Sequence, residues 1–595
     1  MTQDSRPSPS LRDAGRAGLR VVAAHWRTWL RAGVTFQLLT ALVAGPAVAL
    51  LLRAALRAAG VPALTEASLG QVLRHPVAVL LLLVLAVVAT SAALLQHAAF
   101  VLLARELTAG RVPRLRDLAG QGAAAVRRAV GPQLAILALY LLVVAPLGGF
   151  ALGASFVRAL EVPAFVAGEL RKTPTGTAAW LGALLLLWYL NLRLLLLPTA
   201  VLASGRTPAA AVVESWRATR GRAVPLAAAA GALWVLAALC VAALAAGAVT
   251  ATRVADALWP AASPVVAGLA LALAQTVVVA GGGLAAAVVA VALLTLLSVH
   301  PPVVGAGPAP AGAPQTVAVV VAGALVTGAA VVAAAGLTAV PEQTTLVIAH
   351  RGATDGAVEN TLESLEAAAR LGVDVVELDV VQAADGGLVV FHDTTLGRLA
   401  GIDRGVADLT TAQLTATTVR QAGHESTIPS FAAFAARAAE LDVPLLVEIK
   451  EHGRERGDPV GDVVAVLETH GLADSSYVQA LAPRTVTEIE TRFPHVRAGG
   501  VVAILRGRLD PGATDFLTIE QGSYSPELLR QAHTAGVQVF VWTVTDPRQV
   551  RVFTRDGVDG LITSAPGTAL EQRAAVAAET GVSDRLADAV RDLVS

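Results

Sequence analysis

The sequence predicts a multi-span α-helical membrane domain followed by an α/β barrel of the (β/α)8 type. Three observations predict it. Charge is scarce: 15% of the 595 residues are charged and 55% are hydrophobic, against about 25% charged in an ordinary soluble protein. The deficit lies in residues 30–340, rich in Ala, Val and Leu, whereas 345–595 carry ordinary charge density. Second, seven apolar stretches, near 33–55, 76–102, 131–155, 178–203, 224–250, 265–297 and 315–339, reach the roughly 20 residues that cross a hydrocarbon core. Third, from Thr345 short β-branched runs alternate with amphipathic helices, the pattern of a barrel with helices between its strands.

The first 32 residues carry Arg6, Arg12, Arg16, Arg20, Arg27 and Arg31 without an apolar core. They read as a cytoplasmic tail or an interfacial helix, not a cleaved signal. The membrane domain then spans 33–340. Its sixth stretch holds Gly281-Gly282-Gly283, and two crossings there would make eight in all. Arginine is enriched in the second loop (Arg105, Arg111, Arg114, Arg116, Arg127, Arg128) and the fourth (Arg206, Arg217, Arg220, Arg222). The positive-inside rule puts those loops in the cytoplasm with the N-terminus. Seven crossings then predict a multi-pass protein of the bacterial cell membrane with an extracytoplasmic barrel. Arg193, inside "YLNLRLLLLP", is either a contact for a substrate or lipid headgroup or a snorkelling side chain. The zero net charge predicts no nucleic-acid partner. Cys240 stands alone, so no disulfide framework is expected.

The barrel is expected over 345–570, with a C-terminal helical tail over 571–595. Its strands are read at 346–350, 373–381, 445–450, 477–480, 498–503, 516–520, 537–544 and 560–563, with an excursion at 387–392. Barrel active sites lie at the C-terminal strand ends, where His350, Glu377, Asp379, His392, Glu448, Lys450 and Trp542 fall. "VELDV" puts Glu377 and Asp379 on one face of a strand, and "VEIK" does the same for Glu448 and Lys450. Three carboxylates converging on a low-dielectric interior call for a cation. All-oxygen ligands select a hard ion, Mg2+ or Ca2+. His350 and His392 suit paired general acid–base work near neutral pH. Arg351 and Lys450 supply positive charge for an anionic substrate. Lys450 is notable because Lys172 is the only other lysine. Together these groups describe hydrolysis of a phosphate ester. Asn360 reads as a helix N-cap with Glu363 closing a capping box. Glu359 and Trp542 are further candidates to contact substrate.

"HRG…ENT", "ELDV", "FHD", "VEIK" and "VWTV…DGVDGLIT" resemble the glycerophosphodiester phosphodiesterases, in order and spacing, over about 345–566. The resemblance implies a barrel that hydrolyses glycerophosphodiesters to glycerol 3-phosphate and an alcohol with one divalent cation. It implies His350 and His392 as the acid–base pair and Glu377, Asp379 and Glu448 as metal ligands. Arg351 and Lys450 are implied as phosphate contacts. Two departures, Ser564 where Asp is usual and Ala480 where Ser is frequent, are expected to touch neither metal nor histidines. "SWRATRGR" at 215–222 resembles the membrane domain fused to some bacterial members. Two alternatives remain open: a lipid phosphodiesterase of the lysophospholipase D or sphingomyelinase D type, and a transporter or receptor whose barrel only binds. The expected partners are a small glycerophosphodiester or lipid-derived substrate and the bilayer; the sequence leaves the oligomeric state open.

Overall fold

A computed structural model describes residues 10–129, 131, 133–144, 164–297, 328, 330, 331, 334, 345–508, 512 and 514–591. The chain forms two compact units, one of residues 1–55, 77–338 and 581–595, the other of 56–76 and 339–580.

The first unit is helical. Among the described residues, four helical segments are long and apolar enough to cross a membrane: Pro76–Thr108, Pro174–Ser204, Ala223–Leu258 and Pro260–Leu296. Outward side chains such as Leu233, Trp234, Leu236 and Leu239 are exposed, as lipid-facing residues should be without water to avoid. The 33–55 stretch is not one helix. A helix over Leu11–Leu39, broken at His25, runs into a π turn at Thr40–Ala44 and a second helix over Gly45–Ala58. The expected boundary at residue 32 therefore falls inside a helix. The triple glycine does not split the sixth stretch, because Ser263–Leu296 is one helix of 34 residues. At 1.5 Å per residue that is about 50 Å, enough for one crossing and too short for two with a turn. The 315–339 stretch, half of 131–155 and the link 340–344 lie largely outside the described residues.

The C-terminal segment also departs from expectation. Pro566–Ala577 belongs to the barrel unit, but Val582–Arg591 belongs to the helical one. Leu586 and Val590 pack on Ala248, Ala267 and Leu271. The Asp256 carboxylate accepts the amides of Val582 and Ser583 at 3.2 and 3.0 Å, capping that helix from another element.

In the second unit eight parallel strands close on themselves. They are β1 (Leu346–Ala349), β2 (Val375–Gln382), β3 (Leu445–Lys450), β4 (Tyr477–Ala480), β5 (Arg497–Val502), β6 (Phe516–Glu520), β7 (Gln538–Trp542) and β8 (Gly560–Thr563). Each pairs with the next, and β8 pairs with β1. Alternation decides the layers. Val376, Leu378, Val447 and Ile449 point outward onto helices. Ile348, Val375, Leu446, Tyr477, Phe516, Phe540 and Ile562 fill the interior. The Phe516 ring lies 4.9 Å from Phe540 and 5.4 Å from Tyr477, centroid to centroid. A Cβ on Gly499 would come within 2.3 Å of the Phe516 ring, so only glycine lets β5 approach that layer. With the interior closed below, the polar residues further along each strand are left at its C-terminal mouth.

The first loop was expected within the membrane domain, but 56–76 belongs to the barrel unit. Ala63–Leu64 pairs antiparallel with Arg506–Gly507, just past β5. The Glu66 carboxylate accepts the amides of Ala503 and Ile504 at 3.2 and 3.1 Å. Ala63 is buried against Leu505, Leu517 and Ile519. The loop is a strap across the rim after β5.

Candidate active site

Glu377 and Asp379 stand on the inner face of β2, and Glu448 and Lys450 on that of β3. Register brings Asp379 opposite Glu448. The three carboxylates offer oxygens that all lie within 4.8 Å of one another. Glu377 and Asp379 are 2% and 1% exposed, so water does not offset their repulsion. The protein supplies some compensation. Lys450 Nζ donates to Glu448 at 2.6 Å and approaches Asp379 at 3.2 Å. The Arg351 amide donates to Glu377 Oε2 at 2.8 Å. Burial raises the Asp379 pKa, but Lys450 and Arg351 outweigh it and hold the group ionised. For Glu377 the help is outweighed: burial first, then the charges of Asp379 and Glu448, push its pKa well above the usual range against the charge and amide of Arg351. A hard cation bound by the three would supply the missing positive charge, and the donor set fits one.

Asn360 is not the helix cap. Thr361 is, with Ser364 closing the box, because a chain turning left-handed at Asn360 (φ 59°) carries the cap one residue on. Asn360 instead donates from Nδ2 to Asp379 Oδ2 at 2.8 Å and accepts the Asp379 amide at 3.2 Å. It orients a candidate metal ligand. Arg351 is also left-handed (φ 59°). That backbone is sparsely populated for a non-glycine residue and concentrates at functional sites.

The two histidines are held differently. His392 Nδ1 bonds Asp393 Oδ1 at 2.8 Å. Asp393 accepts from Arg398 Nε at 2.7 Å, and Arg398 reaches Glu359 at 2.6 and 3.0 Å. Glu359 in turn pairs with Arg351 Nη1 at 2.9 Å, and Arg351 Nε approaches Asp379 at 3.2 Å without bonding alignment. A chain of charged pairs thus runs from His392 to a candidate metal ligand. Glu359 was a candidate for substrate contact, yet it is buried and bonded by Arg351, Arg398 and Gln421. Burial would raise its pKa, but Arg398 and Arg351 hold it at about 2. It is a hub of the support network. The Arg351 guanidinium is likewise taken up by carboxylates, whereas the Lys450 side chain is 26% exposed and more open.

His350 Nδ1 lies 3.1 Å from Ser564 Oγ. The expectation that position 564 touches neither histidine is therefore wrong: β8 pairs with β1 and sets Ser564 beside His350. Trp542, half-buried at the end of β7, donates from Nε1 to the Thr518 carbonyl at 3.2 Å. Glu520 ends β6, buried, with Oε2 accepting the Gly522 amide at 2.7 Å. Arg193 lies in the helical unit. It is buried, donates to the Trp216 carbonyl at 2.5 Å and stacks 4.4 Å from that ring's centre. Those contacts give it a bracing role between helices.

Sequence reasoning passed over Asp393 and Arg398, and read Ser564 as remote from the histidines. Asp393 was visible as the neighbour of His392. Arg398 sits in the four-residue helix Gly397–Ala400, where no periodicity marks it.

Fold and site define a barrel enzyme of phosphate-ester hydrolysis joined to apolar helices. Residues 16–302 match the membrane domain of glycerophosphoryl diester phosphodiesterase, and residues 350–568 match the glycerophosphoryl diester phosphodiesterase family. The chain belongs to the glycerophosphodiester phosphodiesterase family, in its membrane-domain-fused form. It is similar to a glycerophosphodiester phosphodiesterase of Caldanaerobacter subterraneus subsp. tengcongensis, 26% identical over 239 residues, covering 38% of this chain and 96% of that one. A glycerophosphodiester phosphodiesterase of Arabidopsis thaliana is 28% identical over 243 residues, covering 37% and 71%. Among solved structures, an Oleispira antarctica phosphodiesterase in complex with the product sn-glycerol-3-phosphate aligns with 23% identity and a TM-score of 0.35, covering 38% and 96%.

Proposed function

We propose that this enzyme releases glycerol 3-phosphate and an alcohol from glycerophosphodiesters, using one divalent cation held by Glu377, Asp379 and Glu448. The observation that carries this reading is the set of three convergent carboxylates within 4.8 Å, together with the Asp393-backed His392. Mg2+ or Ca2+ there would supply Lewis acidity toward a phosphate oxygen. With Asp393 accepting the Nδ1 proton, His392 Nε2 is left with its lone pair and can take a proton from the attacking oxygen. His350 gives a proton to the departing alcohol oxygen as the P–O bond breaks. Lys450 meets a phosphate oxygen, and Arg351 holds Asp379 and Glu359 in place. Trp542 offers an apolar wall to the glycerol or alcohol part. The full-length chain, purified and assayed with glycerophosphocholine, glycerophosphoglycerol and lysophosphatidylcholine, is expected to release glycerol 3-phosphate from the first two. Preferential turnover of lysophosphatidylcholine would favour the lipid phosphodiesterase reading. No turnover of any would favour a barrel that only binds.

We further propose that the barrel is extracytoplasmic. The strap at 56–76 packs within the barrel unit, which supports one side of the membrane for both. The number of crossings between Pro76 and Thr345 is then even, and the apolar stretches after the first number six. Val582–Arg591 follows the barrel and is capped by Asp256, near the C-terminal end of the helix Ala223–Leu258, which supports the same side for that helix end. Arginine-rich second and fourth loops on the other side satisfy the positive-inside rule. In a Cys240→Ser background, Ala67→Cys is expected to react with a membrane-impermeant maleimide in intact spheroplasts, and Arg217→Cys only after lysis. The reverse pattern would put the barrel in the cytoplasm.

A further inference from the structure

The helical unit holds a second concentration of charge. The helix Pro76–Thr108 carries Arg105 in its last turn, and after a short turn the amphipathic helix Leu115–Ala129 folds back along it. The contact is close: Leu118 and Ala125 share a core cluster with Leu94, Ala98 and Leu102, and a Cβ on Gly122 would come within 2.9 Å of Leu95. Beside that contact opens a cavity of about 480 Å3, with Leu102 and Ala124 as apolar wall and Arg105, Gln121, Arg127 and Arg128 as polar rim. Its volume is in the range of small-molecule sites, about 300–1,000 Å3.

Among the described residues, the charge of this rim is only partly balanced. Arg105 Nη2 donates to Gln121 Oε1 at 2.8 Å and lies 3.3 Å from Glu106. Glu106 is shared with Arg111, whose Nε is 2.8 Å away. Among the described residues, neither Arg127 nor Arg128 forms an ion pair with a carboxylate. Gln121 spends its carbonyl on Arg105, which keeps its amide group as a donor. The rim therefore offers three guanidiniums and an amide, all donors, over an apolar wall at the end of an apolar helix of 33 residues. Guanidiniums bind phosphate in bidentate geometry. Basic pockets at the ends of membrane helices are suited to anionic headgroups.

We propose that this cavity is a second anion site, separate from the barrel, that takes a phosphate-bearing ligand through Arg105, Arg127 and Arg128. The phosphate comes either from the headgroup of an anionic phospholipid or from a soluble phosphate ester, and two arms of one experiment separate the sources. In the first, the full-length protein in detergent is loaded with phosphatidylglycerol or phosphatidylcholine, and retained lipid is counted by native mass spectrometry. In the second, the protein in phosphatidylcholine nanodiscs is titrated with glycerol 3-phosphate or inorganic phosphate and its thermal midpoint followed. The Arg127→Gln/Arg128→Gln double variant is compared with the wild type, and Arg53→Gln/Arg57→Gln serves as a control for general charge loss. Turnover of a soluble glycerophosphodiester reports that the variants are folded. For a lipid source, the double variant should retain about tenfold less phosphatidylglycerol, with phosphatidylcholine unchanged and the control like the wild type. For a soluble source, a midpoint rise with glycerol 3-phosphate or inorganic phosphate should be lost in the double variant alone. Equal phosphatidylglycerol retention in wild type and double variant, with no arginine-dependent midpoint shift, would overturn the proposal. So would loss of equal size in the control.

Discussion

Replacing His392 with alanine is expected to lower kcat by about 100- to 10,000-fold, the usual contribution of a general acid–base group. The geometry gives the reason for a value near the top of that range. His392 is fixed through Nδ1 by Asp393 at 2.8 Å, and Asp393 is fixed by Arg398 at 2.7 Å. A histidine so held has its tautomer and direction settled before substrate arrives. His350→Ala should fall in the same range, because proton removal and proton delivery are both needed. Asp393→Asn leaves the imidazole in place but removes the charge that favours the Nε2 base. It should lower kcat less than His392→Ala while leaving KM nearly unchanged. Thermal midpoints of the purified variants would show that the barrel remains folded. A His392→Ala enzyme with near-normal kcat would remove that residue from the chemistry.

How far these groups could be read from sequence follows from range along the chain. Glu377, Asp379, Glu448 and Lys450 were legible because strand alternation fixes the face of a residue two positions away. Their convergence needed only that β2 and β3 be neighbours, which the barrel pattern supplied. The support network was not legible. Glu359, Arg398 and Gln421 come from a loop, a one-turn helix and a hairpin, and no local period links them. The role of Asn360 was hidden by a capping motif that fits either of two adjacent residues. Ser564 looked remote from His350 because the contact spans the closure of β8 on β1, 214 residues apart in sequence. The strap escaped because Ala63–Leu64 is a two-residue strand inside a membrane-domain loop, too short to carry a pattern. Hydropathy gave the four long apolar segments well, since composition alone sets that signal. It missed the π turn at Thr40–Ala44, which leaves composition unchanged.

Removing the divalent cation is expected to abolish turnover, and adding Mg2+ or Ca2+ to restore it. Full activity after exhaustive chelation would sink the three-carboxylate reading. Glu377→Gln sharpens the test, because its effect should change sign with the metal. Without a cation, Glu377 is buried among the charges of Asp379 and Glu448, which disfavours its ionised form. A neutral amide of the same shape relieves that repulsion, so in EDTA the variant should unfold at a temperature equal to or above the wild type. With the cation the order reverses. Binding to the folded state alone adds about 2.7 kcal/mol of stability at 100 times the Kd. The wild type should gain it, and the variant, short of one ligand charge, should gain little. Loss of groups that merely orient metal ligands costs about 10- to 100-fold in affinity or activity, so loss of the ligand itself should cost at least about 100-fold in activity. Asn360→Ala, which removes the bonds to Asp379 Oδ2 and from the Asp379 amide, should fall within that smaller range. Calorimetric titration of Mg2+ and Ca2+ into wild type, Glu377→Gln and Asn360→Ala would rank the three. If chelated wild type and Glu377→Gln melt alike and added cation stabilises both equally, then Glu377 is not a ligand, and the cluster is an ion-pair network around Lys450 and Arg351.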